Sequence, residues 1–332
     1  MKKSDSVAIV GAGLAGLSCA QFLRTAGVPV RVFERNGVVG GRCATRLWQG
    51  HLVDTGVQFF TAQSADFKKE LLTRLRQFRP IISPVLDAFN APIPNTEGPR
   101  FYVLQGNNYF AHVLSQGLDV RVHSAVEPLA FRSGGVKVEG ELYRAVVSAA
   151  PGPITAKLFG LTKAPAEYDA CLVGLLEYAG TDLGRTRECY ARLPGEAGEP
   201  LRASYCENNK VGRIVGMKTV FVVEASPRYS LELADAPSEI YLPALVKRHE
   251  ELWQIPGGGS PPPLATAGAT RGRSRTAARR WSCRRVPFSA ATRAPSRPWR
   301  KSGSTARRPG ARCCATSRNF RSEFGSVCSG GL

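Results

Sequence analysis

Hydrophobic positions near the N-terminus follow two periods in turn. Val7–Val10 reads VAIV, an unbroken aliphatic run of the kind expected for a strand buried on both faces. After the glycine-rich GAGLAG, the stretch LSCAQFLRTAG carries apolar residues at helical spacing and stops at Gly27. VPVRVFER returns to a strand pattern and ends in an acid, Glu34. The segment PRFYVLQGNNYFAHVLSQGLDVRVHSAVEPLAF predicts a strand, a helix and a second strand ending near Val126. Val146 to Ala150 predicts a buried strand, Tyr168–Gly180 a sheet strand, and EIYLPALVKRHEELW an amphipathic helix. Past Trp253 no period is recognisable.

The first strand, turn, helix and strand carry a specific chemistry. Gly11, Gly13 and Gly16 have G-x-G-x-x-G spacing. The first allows a tight turn, the second lets backbone approach a pyrophosphate, and the third lets the helix pack on the strand. The helix then opens at Leu14 and Ala15 with free N–H groups facing the phosphates. Glu34 is placed to accept from ribose hydroxyls, with Arg35 beside it. These features together predict a dinucleotide site.

Composition changes the picture in one place. The 332 residues carry a formal charge of +19, which first suggests a polyanion partner. Sixteen of the 45 basic residues lie beyond Leu252 with a single acid, Glu323, so the preceding body is nearly balanced. The nine cysteines show no C-x-x-C or zinc spacing, which predicts free thiols, a reducing cytoplasmic compartment and no metal site. The start MKKSDSVAIVGAGLAGLSCA superficially resembles a signal peptide, but its glycine turn and strand–helix–strand pattern read as folded protein. No run of 18 apolar residues exists, so no membrane association is expected.

The next motifs discriminate between cofactors. ERNGVVGGRCATR places Gly40, Gly41 and Arg42 shortly after the acid, and HLVDTGVQFFTA follows. The first resembles the second glycine motif of the flavin amine-oxidase superfamily. The second, with Gln58 and Phe59, is most similar to its renalase-like branch, although both side chains also fit plain core packing. The resemblance covers residues 5–253 and implies FAD rather than NAD. It further implies contact of Gly40, Gly41 and Arg42 with the pyrophosphate and flavin end, and of the Val126 backbone with adenine. Val122 is the alternative to Val126. LRASYCENNKVGR and KTVFVVEASPRYSLEL resemble further family segments, in which Asn209, Lys210 and Tyr229 also suit structural roles. Asn107-Asn108 departs from the residues usual in relatives.

The final strand and helix of that superfamily have no counterpart in residues 254–332. Read one nucleotide earlier, however, three stretches of the tail can encode the missing motifs in the right order. ATAGAT with the first base of Arg271 can read HRWRYA, PFSAATR can read VFCGDA, and SGSTARRPGARCC can read WLDGTAAGRALL. Fifteen of the sixteen tail bases are Arg, as an out-of-frame GC-rich gene produces. A nucleic-acid arm would mix Lys with Arg and interleave aromatics. The tail is therefore read as frameshifted, disordered and without a nucleic-acid partner.

The expected fold is α/β: a Rossmann-type FAD-binding domain with an inserted mixed-sheet substrate domain. FAD-binding segments are expected at 1–65 and 101–160, substrate-domain segments at 66–100 and 161–253, and the aberrant tail at 254–332. The resemblance implies an FAD-dependent, NAD(P)-related oxidoreductase that moves hydride from an isomeric dihydronicotinamide dinucleotide to the flavin, with O2 as second substrate. No catalytic acid–base residue is identified. The alternatives are another flavin amine oxidase or desaturase, or an inactive remnant, since loss of the last motif would impair the chain.

Overall fold

The computed structural model describes residues 5–75, 77–164, 168–181, 183–195 and 200–255, and the backbone of 264–268 and 273–274. Most of the tail read as frameshifted lies outside the described residues. Two short strands fall within it, Leu264–Gly268 and Arg273–Ser274.

A four-stranded parallel sheet forms the first layer, in the order Ala145–Ser148, Val7–Val10, Val30–Phe33, Asp119–Arg121. Every side chain of the VAIV strand is buried, as its unbroken apolar run requires. The helices Leu14–Thr25 and Tyr109–Ser115 cover one face of this sheet, burying Leu14, Leu17, Ala20, Phe110, Ala111 and Leu114. An antiparallel meander, Ala130–Arg132, Gly135–Val138 and Glu141–Tyr143, covers the other through Val136, Val138 and Tyr143. Phe33 meets Tyr143 edge to face at 6.0 Å.

The second layer is a six-stranded, largely antiparallel sheet. Its order is Leu264–Gly268, Val173–Ala179, Lys218–Ala225, Leu201–Cys206, Ala191–Arg192, Val85–Leu86. Helix Ser238–Trp253 packs on one face through Tyr241, Leu242, Leu245 and Trp253. The other face holds Val173, Leu175, Tyr205, Val220 and Val222, and packs with Val53, Phe59 and Tyr102 from the N-terminal half.

Three sequence expectations are corrected. The strand expected to end near Val126 ends at Arg121. There the chain leaves the sheet: His123 takes φ +53, and the His123 and Ser124 N–H groups donate to Asn36 and Glu34 carbonyls. The strand at Val146 is half-buried, not buried, because it is an edge strand among the described residues. Residues 66–100 do not form one substrate-domain segment. Helix Ala65–Arg74 buries Phe67 and Leu71 in the core of the parallel sheet, whereas Val85–Leu86 joins the six-stranded sheet.

One buried titratable group sets an acid limit on stability. His249 is fully enclosed by Tyr178, Phe221 and Trp253, with Nδ1 2.9 Å from the Ser204 hydroxyl, which also accepts from the Trp253 indole at 2.8 Å. Its Nε2 has no partner, and burial lowers the pKa from 6.5 to about 3. The unfolded chain therefore takes up this proton first, so stability is full above about pH 6.5 and falls toward pH 3. Between pH 7 and pH 5 the imidazole should cost about 2 kcal/mol. Urea unfolding of His249→Gln should show a pH dependence shallower by that amount. Identical dependence in the two proteins would refute the assignment.

Candidate dinucleotide site

The loop between the first strand and first helix is held by backbone bonds to Phe33 and Gly40 and by the Glu34 carboxylate. Gly11 adopts φ +103, and its N–H donates to the Phe33 carbonyl at 2.8 Å. A Cβ on Gly16 would stand 2.0 Å from the Gly11 carbonyl oxygen, so only glycine permits the helix to sit this close. Gly13 is different. It has φ −76 and ψ 174, a backbone any residue adopts, and a Cβ there would meet nothing within 4 Å. Neither strain nor packing within the chain calls for glycine at 13. The space beside the Gly13 backbone is open to an approaching group.

The helix start has the electrostatics for an anion. Gly13 is the N-cap, no side chain caps it, and the first turn carries no acid. The N–H groups of Leu14, Ala15 and Gly16 lie in the turn where no intrahelical acceptor exists. The Gly40–Gly41 turn closes the other side: Gly13 and Gly40 form a parallel bridge, and the Gly40 N–H donates to the Ala12 carbonyl at 2.9 Å. Gly41 takes φ +54 and opens the short helical turn Gly41–Cys43, on which Arg42 is exposed, 6.0 Å from the Tyr168 ring. Arg35 is also exposed.

Glu34 is buried and already committed in part. Its carboxylate accepts from the Ala12 N–H, the Asn36 N–H and the Asn36 amide, each at 2.9 Å. A carboxylate has about four acceptor positions, so one remains for a ligand hydroxyl. Val126 is half-buried against Ala8, Phe33, Val136, Val138 and Tyr143, whereas Val122 is exposed.

Gln58 and Phe59 extend from the same turn, because the Val57 N–H donates to the Arg42 carbonyl at 2.8 Å. Gln58 is buried. Its amide donates to the Asp54 and Gly56 carbonyls, and its Oε1 has no partner. Phe59 stands edge to face with Tyr190 at 6.1 Å.

Beneath this turn lies a charge cluster of which the sequence singles out Lys210 alone. Asp54, Glu207 and Lys210 are fully buried and Arg213 nearly so. Lys210 Nζ lies 2.9 Å from Asp54 Oδ2 and 2.6 Å from Glu207 Oε1, and Arg213 Nη2 lies 2.9 Å from the same Asp54 oxygen. Asp54 Oδ1 accepts from the Thr45 hydroxyl at 2.6 Å and the Asn107 N–H at 3.0 Å. Burial alone would raise the Asp54 pKa, but Lys210 and Arg213 hold it below the usual range. For Glu207 burial dominates and the pKa is raised. Asn107 completes the bracket: its side chain donates to the Val57 carbonyl at 2.9 Å and accepts from the Val103 N–H at 2.9 Å. The Asp of DTGVQFF and the Lys and Arg of NKVGR were visible as motif letters. Their union across the chain was not.

Asn209 and Tyr229 serve the scaffold. Asn209 accepts from Ser83 at 2.6 Å, and the Tyr229 hydroxyl donates to the Tyr241 carbonyl at 3.0 Å. Among the described residues no group of His, Cys, Asp or Glu could hold a metal ion, and no helix is long and apolar enough to cross a membrane.

Comparison with known proteins agrees with this geometry. Residues 9–75 match the NAD(P)-binding Rossmann-like domain family. The chain is 49% identical over 57 residues to the 15-cis-phytoene desaturase of Synechococcus elongatus, and the match spans 16% of this chain and 12% of that protein. A provisional protoporphyrinogen oxidase from Exiguobacterium sp. 255-15 shares the fold at TM-score 0.64 and 12% identity, over 81% of this chain and 86% of that one. Wild-type putrescine oxidase bound to putrescine superposes at TM-score 0.54 and 13% identity, over 75% and 82% of the two chains. The fold is thus mixed α/β and contains a Rossmann-like NAD(P)-binding domain.

Proposed function

We propose that the chain is an FAD-dependent oxidoreductase of the flavin amine-oxidase type, with renalase-like activity on an isomeric dihydronicotinamide dinucleotide. The observation that carries the dinucleotide reading is Gly13, whose missing side chain leaves open space at a helix N-terminus. FAD is favoured over NAD by the second glycine turn, Gly40–Gly41, bridged directly to Gly13. The local match to a desaturase and the fold shared with putrescine oxidase are consistent with a flavin.

The residues fit such a cofactor. The N–H groups at Leu14, Ala15 and Gly16 would hold its pyrophosphate, and the remaining acceptor position of Glu34 a ribose hydroxyl. The Val126 backbone would face adenine. Arg42 would add positive charge near the phosphates and Gln58 and Phe59 would border the ring end. A bound flavin would supply a hydride acceptor at N5 and pass two electrons to O2, giving hydrogen peroxide. The chain's part is to orient the substrate, hold charge near the phosphates and exclude water.

The frameshift reading also belongs to this proposal. The parallel sheet ends among the described residues at Ala145–Ser148, whose Val146 and Val147 are only half-buried. An added strand at that edge is what the final superfamily motif, readable in the tail one nucleotide earlier, would supply. Two proteins test this: the chain as written, and one with its frame restored between Gln254 and Leu264. The restored protein should purify yellow and form peroxide in step with oxidation of a 6-dihydro isomer of NAD. The chain as written should retain far less flavin. Equal flavin occupancy would overturn the frameshift, and a restored protein that binds no flavin would overturn the functional reading.

A further inference from the structure

Arg100 is half-buried and immediately precedes the strand Phe101–Val103. Its guanidinium carbon lies 5.3 Å from the centre of the Phe59 ring. Phe59 meets Tyr190 at 6.1 Å, and Tyr190 meets Tyr205 at 5.7 Å, so three mutually inclined rings form a wall behind one cation, with Phe59 half-buried and both tyrosines buried. The hydrogen bond found for Arg100 is a long one, from Nη2 to the Ile93 carbonyl at 3.4 Å.

Other partly or fully buried arginines of the protein are differently served. Arg213 has Asp54 at 2.9 Å, Arg31 has Asp119 at 2.6 Å, and Arg192 has Glu188 at 3.5 Å. For Arg100 burial lowers the pKa, and the groups acting against that are the Tyr190 and Tyr205 phenols rather than any carboxylate. A guanidinium that loses hydration without gaining a carboxylate carries an unmet cost, which an incoming anion would offset. The half-buried Phe59 ring offers such a ligand an apolar contact, with the fork of the guanidinium beside it.

The position ties this feature to the dinucleotide site. Phe59 lies two residues beyond Val57, whose N–H bonds the Arg42 carbonyl, and the Gly40–Gly41 turn directly precedes Arg42. We infer that Arg100 with the Phe59–Tyr190–Tyr205 wall is an anion-recognition subsite for the substrate, selecting a planar ring that bears a carboxylate or phosphate group. The inference deepens the proposed function and takes from it the location of the substrate. It also separates the candidate substrate classes, because an ammonium substrate would meet like charge at this wall.

The test uses matched neutral and anionic probes on the full 332-residue chain. Nicotinamide against nicotinate examines a carboxylate, and nicotinamide riboside against nicotinamide mononucleotide examines a phosphate. In at least one pair the wild-type chain should prefer the anionic member by about tenfold or more, the range for a charge-assisted contact with arginine. Arg100→Met should bring that preference to within about twofold, and Arg100→Lys should keep part of it, since the charge remains but the bidentate fork is lost. Arg100→Gln, which can still donate to Ile93, serves if the Met variant fails to fold, and should also lose the preference. A purely structural arginine would alter the melting temperature without changing the ratio. No preference in the wild type, no binding of any probe, or an unchanged preference in Arg100→Met or Arg100→Gln would each overturn the subsite. If the chain shows the preference but its frame-restored form takes up no FAD and oxidises no dihydronicotinamide, the subsite stands and the flavin reading is lost.

Discussion

Asp54→Asn should destabilise the protein by about 3–5 kcal/mol, the usual cost of removing one partner from a buried ion cluster. The wild-type cluster pairs two carboxylates with two cations, all buried. The amide would leave Lys210 and Arg213 with Glu207 alone, and Arg213 stands 4.0 Å from that carboxylate. It would also weaken the acceptor for the Asn107 N–H, so the bracket behind Gln58 would loosen. Lys210→Met should cost a similar amount, because two carboxylates would then share one arginine. The double variant should lose clearly less than the sum of the two, since each single change strands what the other removes. Urea midpoints with unchanged slopes measure all three. Strict additivity would mean that the pair is not coupled.

Gly13→Val should have the opposite signature: little effect on folding and a large effect on cofactor binding. The extended backbone at Gly13 suits valine, and nothing within 4 Å obstructs a Cβ. The cost to the fold should be limited to a poorer N-cap, a few tenths to about 1 kcal/mol. The added methyl groups would stand where a pyrophosphate meets the helix start. Overpacking of about 3 kcal/mol at such a contact corresponds to roughly a 100-fold loss of affinity. Gly16→Ala is the informative contrast. Its Cβ would collide with the Gly11 carbonyl oxygen, so it should lower stability and binding together. A Gly13→Val protein, in the restored frame, that binds flavin like the parent would refute the cradle.

The parts of this site that were legible in the sequence are the local ones. The strand, turn and helix around Gly11, Gly13 and Gly16 lie within one stretch of chain, where spacing alone determines geometry. The Asp54–Lys210 contact joins positions 156 residues apart, and no local period encodes such a contact. Lys210 and Arg213 sit in a polar stretch that reads as loop, and their burial follows from packing under Tyr190 and Tyr102. Helix Ala65–Arg74 shows an apolar face but not which core receives it, so its placement was misread. The strand Asp119–Arg121 was drawn too long because Val122 and Val126 continue its apolar pattern after the backbone has turned away. Arg100 looks like any surface arginine in GPRFYV until Phe59 is placed beneath it.

The central claim is that the paired glycine turns hold a flavin dinucleotide. The most direct test is a competition titration of the frame-restored protein, with FAD and NAD+ offered together and bound flavin read by its visible absorbance. The account predicts stoichiometric flavin that excess NAD+ does not displace, and loss of that binding in Gly13→Val at nearly unchanged stability. Displacement of FAD by NAD+, or binding of NAD+ with no flavin taken up, would contradict it.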